Sequence, residues 1–299
     1  MKGLLAPGKL YDIGGRRLHA VITGQPSAHL PIVLEAGLTA MSSCWAWVQQ
    51  DLSAHTQVLS YDRAGLGWSD PAPASEPRDA RNIAQDLHNL LDAAQFPRPF
   101  AFVGHSMGGF FGRAYAQQFP NEIAAVVLVD ASHPEQIERS LNIRKALRRY
   151  FWFLKASPLI ASTGLMRPFQ EFGIAEHARG LPEPDATRAR ACFSSAQHMR
   201  TSAREAEEWF RSAAQVKGSN LGQTPLLVLT ALEKSMAGWH DLQKELADLS
   251  TRSRHLVIPG DSHTSMLSDC DHARRVSSEI LTVTQRQDWL DKADSNTAG

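Results

Sequence analysis

The hydrophobic positions of this chain fall into two alternating patterns, short apolar runs and longer stretches with helical spacing. Lys9 to Asp12 and Arg16 to Thr23, parted by Gly14-Gly15, predict a hairpin. Ile32-Val33-Leu34-Glu35, closed by Ala36-Gly37, predicts a buried strand. Trp45 to Leu52 then takes helical spacing, and Gln57 to Tyr61 returns to strand. After a proline-rich loop (Pro71, Pro73, Pro77), Ala80 to Ala94 carries Ile83, Leu87, Leu90 and Leu91 on one helical face. Pro99 to Val103 predicts a strand, Met107 to Ala116 a helix packed through small residues, and Ala124 to Val129 a further strand. From about Pro134 to Gly222 the pattern is helical, with no strong strand. Alternation resumes with a strand at Pro225 to Thr230, a helix at Trp239 to Leu249, a strand at Arg254 to Ile258 and a final helix to about Trp289. Ala293 to Gly299 read as a frayed tail. Strand and helix alternating at this spacing imply parallel pairing in a sheet covered on both faces, hence one α/β domain with a helical insertion.

Composition narrows the partners more than the fold. A chain of 299 residues can bury the core of one large domain. Its formal net charge is zero, so no global field draws it to nucleic acid or to an anionic membrane surface. The insertion is locally basic, with Arg144, Lys145, Arg148 and Arg149 close together, and such a face could bind an acidic partner; exposed arginines on helices are more often solvated surface. No apolar run approaches the length of a membrane span, and the first eight residues lose their apolar character too soon for a secretory signal. Cys44, Cys192 and Cys270 form neither a disulfide framework nor a zinc pattern, which suits three reduced thiols in a cytoplasmic protein. No metal or other cofactor is expected, because Cys and His do not cluster at ligand spacing and no glycine-rich phosphate cradle follows a strand. The expected state is a monomer or homodimer.

The candidate chemistry centres on Gly104-His105-Ser106-Met107-Gly108. A Gly-x-Ser-x-Gly between strand and helix forms the sharp turn that lifts a serine hydroxyl above a sheet edge. Serine attacks carbonyl carbon only when a base takes its proton. His263, just after the last predicted strand, lies at the carboxyl edge where the Ser106 turn also lies, and it is the expected base. His105 is expected to point away from the hydroxyl and to pack. An acid should hold the other nitrogen of His263. Asp130, closing the Ala124-to-Val129 strand, is favoured over Glu233, which follows the strand after the insertion; Asp261 is too close to His263 to reach back to its ring. The oxyanion should be met by the amides of Met107 and of Leu38, whose neighbour Gly37 allows close approach. Asp62 and Arg63, in Tyr61-Asp62-Arg63-Ala64-Gly65-Leu66-Gly67-Trp68-Ser69-Asp70, are expected to brace a glycine-rich loop.

Three strings together, Gly104-His105-Ser106-Met107-Gly108-Gly109, Tyr61-Asp62-Arg63-Ala64-Gly65-Leu66-Gly67-Trp68-Ser69 and Gly260-Asp261-Ser262-His263, resemble the α/β-hydrolase family, and the order Ser106, Asp130, His263 matches its order of nucleophile, acid and base. The resemblance implies a mostly parallel eight-stranded sheet flanked by helices, with a core of residues 1–133 and 223–299 and an all-helical cap at 134–222. Two departures stand out: Ala36-Gly37 replaces the frequent His-Gly of the oxyanion loop, and the acid precedes the cap. Members similar to haloalkane dehalogenases carry an acid at that earlier place, but their nucleophile, like that of epoxide hydrolases, is an aspartate. Ser106 therefore implies hydrolysis of a small acyl ester through an acyl-serine intermediate. Lactone, thioester, amide or carbon–carbon hydrolysis, acyl transfer and perhydrolysis would use the same residues, and a non-catalytic ligand receptor is the alternative of another class. Trp152, Phe153, Met199, Trp209 and Phe210 are the cap candidates for lining the pocket, against plain helix-core packing for each.

Overall fold

The computed structural model describes residues 4–164, 166 and 178–285, and among these eight strands form one sheet. They are β1 (Lys9–Asp12), β2 (Arg17–Thr23), β3 (Ile32–Glu35), β4 (Val58–Tyr61), β5 (Phe100–His105), β6 (Ile123–Val129), β7 (Leu226–Ala231) and β8 (Ser253–Ile258). Their spatial order is β1-β2-β4-β3-β5-β6-β7-β8. The β1–β2 and β2–β4 pairs are antiparallel, and every pair from β4 to β8 is parallel. Helices α1 (Ala46–Ser53), α2 (Ala80–Ala93) and α3 (Gly108–Gln118) connect the first strands. Helices α4 (Gln136–Arg139), α5 (Leu141–Ser162), α6 (Asp185–Phe193), α7 (Ala196–Glu207) and α8 (Trp209–Val216) lie between β6 and β7. Helix α9 (Trp239–Ala247) joins β7 to β8, and α10 (Ser265–Ser268) and α11 (Cys270–Thr284) follow. Each predicted strand and helix appears within one or two residues of its expected ends. The last helix is the exception: it ends at Thr284 with Gln285 already extended, short of the expected end near Trp289, and that position and the tail lie outside the described residues.

Strands β3, β5, β6 and β7 read as mainly apolar runs because both sheet faces are covered there. Along β5 the side chains separate with a period of two: Phe100 and Phe102 join one core with α2 and α3, while Ala101 and Val103 join the other with α1 and α11. Helix α2 buries Ile83, Leu87, Leu90 and Leu91, each worth about 1.5–3 kcal/mol on burial, and Asp79 caps its start by accepting from the Asn82 amide at 3.1 Å. No described helix is long and apolar enough to cross a membrane.

Register fixes where chemistry can occur. Glu35 pairs with Gly104, His105 with Val129 and Ala231 with Ile258. The segments after β3, β5, β6, β7 and β8 therefore emerge at one carboxyl edge, where ligands of parallel sheets bind.

Candidate active site

Ser106 leaves β5 with φ at 53°, a left-handed conformation that costs a residue with a Cβ about 1–2 kcal/mol. The turn survives because its surroundings over-determine it. The Ser106 amide donates to the Val129 carbonyl at 3.1 Å, and its own carbonyl accepts from the Gly109 and Ser132 amides at 3.1 and 2.9 Å. Gly108 has no alternative: a Cβ there would lie 2.6 Å from the Glu35 carbonyl oxygen. The half-buried serine opens into a cavity of about 630 Å³, whose lining also includes Leu38, Asp130 and His263.

His263 follows β8 and extends to the end of β6, where its Nδ1 meets Asp130 Oδ2 at 2.6 Å. A carboxylate only accepts, so this bond places the ring proton on Nδ1 and leaves Nε2 able to take a proton. Asp130 is itself held firmly. It is buried, with φ at 43°, and Oδ1 accepts from the Ala231 amide at 3.2 Å and from Trp239 Nε1 at 2.8 Å. His105 packs beside Trp45, as expected, and also lies tilted against His263 with centroids 4.6 Å apart. Its Nε2 donates to the His263 carbonyl at 2.8 Å, so it steadies the loop as well as the core. Glu233 sits exposed at the cavity mouth, and its carboxylate has no hydrogen bond or ion pair among the described residues. Asp261 turns to Arg275 and His272, each at 2.9 Å.

The loop after β3 is positioned from below. Gly37 packs against the serine, since a Cβ on it would lie 2.9 Å from Ser106 Cβ. Arg63, fully buried, donates Nη1 to the Ala36 carbonyl at 2.7 Å and Nη2 to the Gly37 carbonyl at 2.9 Å. In a trans peptide N–H and C=O point opposite ways, so the Leu38 amide is directed away from Arg63. The Met107 amide precedes the first turn of α3 and has no intrahelical acceptor. From α7, His198 donates Nε2 to the Thr39 carbonyl at 2.8 Å and accepts from the Gly67 amide at 3.2 Å, as a neutral imidazole whose pKa burial lowers. Asp62 braces the glycine loop from the other side. Burial alone would raise its pKa, but bonds from His19 and from the Trp68 and Ser42 amides outweigh it and the pKa falls.

Arg63 also joins β3 to the inserted helices, through Glu35 Oε1 at 2.7 Å and both oxygens of Glu205 at 2.8 Å. Burial pushes the Glu35 carboxyl up to about 7, against the pull of Arg63 and the Tyr61 hydroxyl. Arg63→Met would leave two buried carboxylates without their counter-ion, and urea unfolding should show a loss of about 3–5 kcal/mol. The Glu35 pKa is raised above its unfolded value of 4.5, so its contribution is complete below pH 4.5 and is lost as pH rises through about 7. Glu35→Gln should flatten stability across that window.

Of the five aromatic and methionine residues expected at the pocket, Phe153 and Trp209 line the cavity. The other three expectations are corrected. Trp152 and Phe210 are exposed on the outer side of α5 and α8, and Met199 is buried in the core beneath α7. Other residues that the sequence did not single out for the pocket also line it, among them Tyr150, which hydrogen-bonds Thr39 at 3.0 Å, and Ile143, Leu147, Met236 and Trp239. Among the described residues no group of three or more His, Cys, Asp or Glu could hold a metal ion.

Residues 31–269 match the family model for the alpha/beta hydrolase fold. The chain belongs to the alpha/beta hydrolase family. A Pseudomonas savastanoi protein provisionally named the carbamate hydrolase RutD is 29% identical to this chain over 248 residues, covering 80% of it and 88% of the relative. The chain spans only 21% to 54% of the length of the first curated relatives it matches. Among solved structures, a thermophilic esterase from Thermogutta terrifontis superposes with a TM-score of 0.63 at 22% identity, over 93% of this chain and 94% of that one. A Pseudomonas aeruginosa protein provisionally assigned as an epoxide hydrolase superposes with a TM-score of 0.73 at 21% identity, over 97% and 100%. At these identities the likeness concerns the fold.

Proposed function

We propose that this chain is a serine hydrolase that cleaves carboxylic esters through an acyl-serine intermediate, with α4 to α8 acting as a cap over the site. The observation that carries this reading is the 2.6 Å bond from His263 Nδ1 to Asp130 Oδ2 in the cavity that Ser106 also lines. Ser106 Oγ attacks the ester carbonyl while His263 Nε2 takes its proton, and Asp130 stabilises the imidazolium that forms. The Leu38 and Met107 amides receive the negative oxygen of the tetrahedral intermediate. Collapse expels the alcohol, which takes its proton from His263. Water, activated by the same nitrogen, then releases the acid and restores Ser106.

The apolar cavity suits an uncharged or weakly polar acyl group. Opening an epoxide by covalent attack, as the relatives of that name would require, calls for a carboxylate where this chain has Ser106. Carbamates, lactones and thioesters share the acyl chemistry and belong in the same assay. The test is labelling of the wild-type chain with a fluorophosphonate probe, alongside initial rates over p-nitrophenyl esters of graded length. Covalent mass on the Ser106 peptide and turnover of short esters are expected. A chain that neither labels nor turns over any acyl substrate would be a ligand receptor instead.

A further inference from the structure

Helix α5 runs for 22 residues with five basic side chains and no acidic one. Its inner side holds Ile143, Leu147, Tyr150 and Leu154, which line the cavity or pack beneath it. At 100° per residue, Leu141, Lys145, Arg148, Trp152, Lys155 and Leu159 fall within about 80° on the opposite side. This outer line is exposed where a folded chain normally hides such residues: Leu141 by 59%, Trp152 by 65% and Leu159 by 75%. Phe210 on α8, exposed by 60%, extends it sideways across an open groove of about 640 Å³. The acids bordering that groove are Glu138 and Glu207. Among the described residues, Lys145, Arg148 and Lys155 have no ion-pair partner, although arginines elsewhere in the fold repeatedly find one.

We propose that this face docks on an anionic lipid bilayer. Apolar and cationic groups are interleaved along a helical ridge about 27 Å long rather than sorted into a core and a rim. A folded protein partner favours an apolar centre with charges around it. A bilayer surface satisfies both kinds of group at one depth: Trp and Leu enter the boundary between headgroups and acyl chains, and Lys and Arg extend to the phosphates. The chain's zero net charge supplies no attraction of its own, so binding depends on this local face. The inner side of the same helix roofs the cavity, so docking would hold the cap against a reservoir of apolar esters.

The experiment is flotation of the whole chain with vesicles of phosphatidylcholine alone and of phosphatidylcholine mixed with phosphatidylglycerol, which reads binding with no need for turnover. Binding to the anionic vesicles should exceed that to the neutral ones by about tenfold or more and should weaken as salt is raised. The pair Arg148→Glu and Lys155→Glu should abolish it, and Trp152→Ser should reduce it severalfold, with unchanged thermal unfolding and unchanged hydrolysis of a water-soluble short ester. Failure to float with anionic vesicles at low salt, or binding indifferent to these substitutions, overturns the proposal. So does concentration-dependent self-association that Trp152→Ser removes, which would assign the face to a second copy of the chain. Loss of esterase activity in the unmodified chain would refute the catalytic reading and leave vesicle binding untouched.

Discussion

Ser106→Ala is expected to lower kcat for short p-nitrophenyl esters by roughly 10⁶-fold, with thermal unfolding close to that of the unmodified chain. The hydroxyl is the only group lost, and the methyl group keeps the same left-handed backbone with its strain. Turnover that remains would come from the Leu38 and Met107 amides and from binding, without a covalent intermediate. Ser106→Gly makes a companion measurement. It should be equally inactive yet more stable than the alanine variant, by about 1 kcal/mol, because glycine accepts φ near 53° without a Cβ penalty. Activity retained in both variants would move the nucleophile elsewhere and sink the acyl-serine reading.

The elbow was legible in the sequence because its requirements are local. A strand, a left-handed serine and glycines against β3 all fall within a few residues of Ser106. The sheet was equally legible, since strands buried on both faces leave uninterrupted apolar runs. The cap was legible only in part. Trp152 and Phe153 are adjacent, and aromatic character alone does not say which turns inward. Spacing does: Ile143, Leu147, Tyr150 and Leu154 form an inner stripe, and Trp152 lies opposite to it. Trp209, Ser212, Ala213 and Val216 likewise form the buried stripe of α8 and leave Phe210 outside. Other features had no local signal at all. The Arg63–Glu205 pair spans 142 positions and the Trp239–Asp130 bond 109, so only the folded topology brings those partners together. A buried arginine announces the need for a carboxylate but not its address.

Asp130→Asn should lower kcat by about 10⁴-fold while leaving the fold intact. The argument rests on which atoms each oxygen faces. Oδ1 accepts from two donors, the Ala231 amide and Trp239 Nε1. The NH₂ of an asparagine cannot accept, so the carbonyl oxygen must occupy the Oδ1 place and the NH₂ must face His263 Nδ1. That nitrogen then has to accept, which sends the ring proton to Nε2. The imidazole is left in the tautomer that cannot take the Ser106 proton, and no carboxylate remains to stabilise the imidazolium. Glu233→Gln changes a solvent-exposed carboxylate without partners among the described residues and should stay within about twofold of the unmodified rate. Paired kcat measurements on the two variants decide the acid: a large loss in Glu233→Gln with little in Asp130→Asn would transfer the role. The same tautomer argument gives a spectroscopic signature, because the imidazole nitrogen resonances of His263 should report Nδ1–H in the unmodified chain and Nε2–H in Asp130→Asn.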